Sequence, residues 1–95
     1  MDEIQTTLLE QLKLINPTFK EDYNVSSIKE IDDGIRLVFR KRNQITYIDI
    51  YYNNKKDLYN IKSVRIKGNQ SQIIWSSTDI HYKNLHKVIK SVLNI

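Results

Sequence analysis

Apolar residues recur along this chain with two spacings, one helical at both ends and one alternating in between. Near the start, Ile4, Leu8, Leu12 and Ile15 fall within an arc of about 80° at 3.6 residues per turn, which predicts a helix over residues 3–15. Asp2 and Glu3 suit the positive end of its dipole. Pro17 stops it, because the residue before a proline is pushed out of the helical region. Leu9 and Leu14 lie off the stripe and are expected to touch neighbouring elements. At the other end, Tyr82, Leu85, Val88, Ile89, Val92 and Leu93 form a continuous apolar arc over residues 80–94, with Lys83, Lys87 and Lys90 opposite. Thr78 or Asp79 is the expected cap of this helix.

Between the helices the period is two. Residues 24–31 read as a strand in which Val25, Ile28 and Ile31 break strict alternation, so a bulge is expected there. Asp32-Asp33-Gly34 reads as a tight turn with Gly34 supplying the positive φ. Over residues 35–42, Ile35, Leu37 and Phe39 face one way and Arg36, Val38 and Arg40 the other. Over residues 45–52, Ile48, Ile50 and Tyr52 oppose Tyr47, Asp49 and Tyr51. An even-length loop around Arg42-Asn43 makes both patterns agree. It sets Leu37 opposite Ile48 and Ile35 opposite Ile50 on the buried side, and Arg36 opposite Asp49 and Val38 opposite Tyr47 outside. A slip of one residue inverts every side chain, so this register is firm.

Residues 58–67 form the next strand, with a bulge expected between Ile61 and Val64 where the apolar phase changes. Gly68-Asn69 turns the chain into a last strand over residues 72–77. Ile73, Ile74 and Trp75 make that strand apolar on both faces, which suits a covered position in the sheet. The fold class is therefore α+β: a five-stranded antiparallel meander flanked by N-terminal and C-terminal helices in the order α-β-β-β-β-β-α, with both helices on one face. The 95 residues suit a single α+β domain.

Composition narrows the function classes. The chain has no cysteine, so disulfides and thiolate metal sites are excluded. No apolar run reaches the ~20 residues of a membrane span, and the acidic start does not resemble a signal peptide, so a soluble cytoplasmic protein is expected. Alanine is absent while Ile, Asn, Lys and Tyr abound, a bias toward AT-rich codons. It points to a low-GC host, or to a phage or mobile element within one. Net charge is +4, but residues 1–33 carry eight acids against three lysines and residues 34–95 carry twelve bases against three acids. Such asymmetry fits an anionic partner, or an acidic segment folding beside a basic one.

Catalytic chemistry finds little support. His81 and His86 are five apart and share no helix face, so no metal site is expected. The serines stand in no nucleophile setting, and Asp32-Asp33 are ordinary turn residues. Two distant glycines build no phosphate loop. The expectation is no enzyme, no cofactor and no metal. What remains is a surface. Arg36, Val38, Arg40, Arg42, Tyr47 and Tyr51 are the candidate partner-binding residues on the outer face of the central hairpin, since arginine and tyrosine are enriched at interface anchors. Lys83, Lys87 and Lys90 form a candidate anion-binding row.

The leading expectation is a small non-enzymatic protein-binding module that regulates or inhibits a larger partner. The alternative is a nucleic-acid-binding accessory protein using the same basic Tyr/Arg face and the lysine-lined helix, although no helix-turn-helix, RNP-type or GXXG motif appears. A third reading is a homodimer formed through an exposed sheet edge.

Overall fold

The computed structural model describes residues 2–95. Helix α1 spans Glu3–Ile15 and begins where Asp2 accepts hydrogen bonds from the backbone amides of Ile4 (3.0 Å) and Gln5 (3.4 Å). A single helical turn, α2 (Phe19–Asp22), follows Pro17 and inserts Phe19 into the core. Five strands come next: β1 (Ser27–Ile31), β2 (Gly34–Lys41), β3 (Gln44–Asn53), β4 (Leu58–Lys67) and β5 (Gln70–Ile80). A 3₁₀ turn (Tyr82–Asn84) leads into α3 (Leu85–Leu93).

The strands pair in chain order, β1-β2-β3-β4-β5, all antiparallel. The β2–β3 register matches the alternation argument: Leu37 faces Ile48, Ile35 faces Ile50, Arg36 faces Asp49 and Val38 faces Tyr47. Both helices lie on one face of this sheet. Leu8 and Leu12 of α1, Phe19 of α2, and Leu85 and Ile89 of α3 pack on Ile35, Leu37, Phe39, Ile48, Ile50 and Ile61. Each such buried side chain contributes roughly 1.5–3 kcal/mol through apolar area removed from water.

Several expectations are corrected. β1 pairs with β2 without a bulge, because Ile28 faces the helices while Ile31 faces the other way beside Gly34. The irregularities lie in the last ladder, and the extra residues belong to β5 rather than β4, near Ile74 and near Asp79. β5 is an edge strand, not a covered one. Ile73 is 61% exposed and Trp75 37% exposed. Thr78 and Asp79 belong to β5 and cap no helix. Instead His81 Nδ1 accepts from the Lys83 amide at 3.2 Å and starts the 3₁₀ turn. On α1, Leu9 packs against the core, whereas Leu14 and Ile15 stay exposed because the helix ends there.

Gly34 does not carry the positive φ of the first hairpin. Asp33 does, at 60°. Gly34 sits inside β2, where an added Cβ would be driven into the carbonyl oxygen of Ile50.

His86 is buried rather than bordering the lysines. Its Nε2 lies 2.8 Å from the carbonyl oxygen of Leu12, which can only accept, so Nε2 carries the proton. Nδ1 is hydrogen-bonded with the Tyr23 hydroxyl at 2.6 Å. Phe19 packs edge-on against the imidazole, with 5.8 Å between centroids. One side chain thus ties together α1, α2 and α3. His86→Leu keeps the bulk but leaves the Tyr23 hydroxyl without its partner, and should cost about 2 kcal/mol in a thermal or urea unfolding experiment. A loss below about 0.5 kcal/mol would show that the ring serves only as filler.

Candidate interaction surface

Cross-strand partners in an antiparallel sheet share a face, so the observed register gives the composition of the side the helices leave open. Three rows run across the strands. The first is Arg40–Ile45–Ile66–Ser71. The second is Ser27–Val38–Tyr47–Val64–Ile73. The third is Lys29–Arg36–Asp49–Lys62–Ser76. A stripe of aliphatic and aromatic side chains two rows wide is therefore bordered by basic residues, and among the described residues no helix lies over it.

In the bordering third row, Asp49 is only 1% exposed. It is held by Arg36, whose Nε and Nη2 donate to its two carboxylate oxygens at 2.7 and 3.0 Å. The Tyr51 hydroxyl donates to Oδ2 at 3.2 Å. The guanidinium carbon of Arg36 stands 4.3 Å from the centroid of the Tyr47 ring, a cation–π contact. Hydrogen bonding to Asp49 holds Arg36 above its ordinary pKa, and burial beside the same carboxylate pushes Tyr51 up. The network is a rigid, internally neutralised plate rather than a set of free charges.

Each residue singled out from the sequence can now be placed. Arg40 and Arg42 are exposed, Arg42 at the β2–β3 turn. Tyr47 and Tyr51 are half-buried. Arg36 is engaged by Asp49, so its charge is partly spent inside the fold. Val38 is 0% exposed and cannot touch a partner. Its cross-strand partners on this face are Ser27 and Tyr47, and Arg36 and Arg40 lie two residues away along β2. Lys87 and Lys90 are exposed on the outer side of α3, and Lys83 is exposed in the 3₁₀ turn before it. That helix covers the opposite face, so the lysine row and the Tyr/Arg face point away from each other and form no continuous basic track. Ile45, Val64, Ile66 and Ile73 were not singled out. Extending the β2–β3 register through β4 and β5 would have found them.

Elsewhere, a cleft of about 330 Å³ lies between α1 and the β3–β4 end of the sheet, lined by Thr7, Gln11, Tyr52, Asp57 and Tyr59 among others. Its polar groups are mutually engaged: the Tyr59 hydroxyl donates to Gln11 at 2.6 Å and the Tyr52 hydroxyl to Asp57 at 2.7 Å. Burial pushes the Tyr59 phenol up to about 12. The unfolded chain releases this proton near pH 10 and the folded chain near pH 12. The contribution is therefore intact below pH 10 and lost as pH rises to 12. The melting temperature should fall steeply across that window, and Tyr59→Phe should flatten the fall while costing about 1 kcal/mol at neutral pH. An unchanged alkaline slope in Tyr59→Phe would assign the effect to the other raised tyrosines, Tyr23, Tyr51 and Tyr52.

Among the described residues no three His, Asp or Glu side chains come together as a metal site. No helix among them is long and apolar enough to cross a membrane. No protein-family model matches the chain, and neither a curated protein nor a solved structure matches it. The functional reading rests on the chemistry of the surface.

Proposed function

We propose that this chain is a small non-enzymatic module that binds a larger protein through the open face of its sheet and so regulates or inhibits that partner. The observation that supports it is the uncovered stripe of Ile45, Tyr47, Val64, Ile66 and Ile73, anchored on the Arg36–Asp49–Tyr51 plate and rimmed by arginine and lysine. Rigid tyrosine and arginine anchors beside aliphatic area are what protein interfaces use for affinity. The skewed composition fits a cytoplasmic protein of a low-GC host, or of its phages or mobile elements.

The test is affinity capture from the native host with the parent chain and with Tyr47→Ala/Arg40→Ala, each with and without nuclease. A specific protein retained by the parent, lost by the variant and indifferent to nuclease supports the proposal, provided the variant melts as a folded protein. Equal retention by both chains removes the surface from consideration.

Nucleic-acid binding is the second reading, supported by the excess of twelve bases over three acids in residues 34–95. It requires micromolar binding to mixed oligonucleotides that weakens steeply with salt, because released counterions drive such binding. The opposed placement of the lysine row and the sheet face counts against it.

A further inference from the structure

We infer that the open sheet face is a seat for an acidic amphipathic helix of a partner protein, lying across the strands; this deepens the protein-binding reading and rests on it. The accessible apolar row Tyr47–Val64–Ile73 crosses from β3 to β5, two interstrand steps. At about 4.8 Å per step it is roughly 10 Å long, the length of about two helical turns. Ile45 and Ile66 widen it by one row. Lys29 and Lys62 flank the neutralised Arg36–Asp49 pair along one long side, and Arg40 and Arg42 stand at the β2 end of the other.

Successive rows on one face are about 7 Å apart along the strands, so the two basic borders straddle a helix of about 10 Å diameter. A helix with a leucine-type stripe and glutamates on both flanks would place its carboxylates over both borders. The only acid in the three rows is Asp49, and Arg36 already neutralises it.

Other occupants fit less well. A second copy presented face to face would set two basic rims against each other. Pairing along the β5 edge is hindered by the irregularities near Ile74 and Asp79, which interrupt the row of free backbone groups. Nucleic-acid bases gain nothing by stacking on Ile45, Val64, Ile66 or Ile73, and the face of Tyr47 already carries Arg36.

The experiment follows Ile and Val methyl resonances of the full chain while adding either of two 16-residue helical peptides. Both have the same leucine stripe; one carries glutamate on its flanks and the other lysine. The glutamate peptide is expected to shift the methyls of Ile45, Val64, Ile66 and Ile73, to bind about tenfold or more tightly than the lysine peptide, and to weaken with salt. Arg40→Glu/Lys62→Glu should reverse the preference, and Ile66→Lys should abolish the shifts while the melting temperature holds.

Equal binding of both peptides, no shift on this face with either, or shifts confined to α1 and α3 would overturn the inference. So would methyl shifts that follow protein concentration alone, which would assign the face to a second copy. Displacement of the acidic peptide by a lower concentration of oligonucleotide would assign it to nucleic acid. Failure here with host capture still sensitive to Tyr47→Ala/Arg40→Ala rejects only the acidic helix; failure of both rejects the protein-binding reading itself.

Discussion

Arg36→Ala should lower the unfolding free energy by about 3 kcal/mol, far more than a surface arginine normally costs. The reason lies in what is left behind. Asp49 is 1% exposed and takes two charge-assisted hydrogen bonds from Arg36, while its remaining donor is the Tyr51 hydroxyl. Without the guanidinium, a buried carboxylate must stay charged with one neutral donor or open the sheet to water. The Tyr47 ring also loses the cation packed on it. For a domain of this size the melting temperature should drop by roughly 10–20 °C. The double variant Arg36→Met/Asp49→Leu removes both charges and should recover most of the loss, because well-packed apolar residues often replace a buried pair at little cost. A single variant within about 1 kcal/mol of the parent would mean that water already reaches Asp49.

The second large effect concerns one hairpin. Gly34→Ala should destabilise by about 3 kcal/mol or more, because the new methyl meets backbone, the Ile50 carbonyl, that cannot swing aside as a side chain would. The β2–β3 ladder must separate locally to admit it. Asp33→Gly, one residue earlier, should stay within about 1 kcal/mol of the parent, since Asp33 holds the left-handed φ of 60° that glycine adopts freely. Urea unfolding of both variants decides between the two roles. If Asp33→Gly were the damaging change and Gly34→Ala the mild one, the hairpin would owe its shape to Gly34 after all.

These two positions show where the sequence was readable. Alternation across Ile35–Phe39 and Ile48–Tyr52 set the register of the central hairpin, because a buried face tolerates only one pairing. Short connections implied a meander, and the structure supplies its strand order, β1-β2-β3-β4-β5. A glycine after two aspartates, however, looks the same whether it bends the chain or lets another strand approach. Likewise, Ile73-Ile74-Trp75 reads as a covered strand, and only the three-dimensional sheet reveals that β5 has no neighbour beyond it.

The candidate surface was half legible. Tyr47, Tyr51, Arg36 and Arg40 could be assigned to one side from the hairpin alone, whereas the burial of Val38 depends on how large neighbours crowd around it. Ile45, Val64 and Ile66 were assigned to no face, because the register was carried only across the β2–β3 hairpin. His86 could not be foreseen as buried, since its partners Leu12 and Tyr23 are brought to it only by tertiary packing.

The bond from His86 to Leu12 joins residues 74 positions apart. The five-strand meander is made of neighbours in sequence and can assemble while the chain is still being synthesised. The layer over it cannot, because α3 follows all five strands in the chain. Until α3 leaves the ribosome, Ile48, Ile50 and Ile61 have no complete cover. A stalled or shortened product would expose that greasy surface to chaperones and proteases. Cellular abundance of this protein should therefore respond sharply to lesions in the stretch that encodes α3.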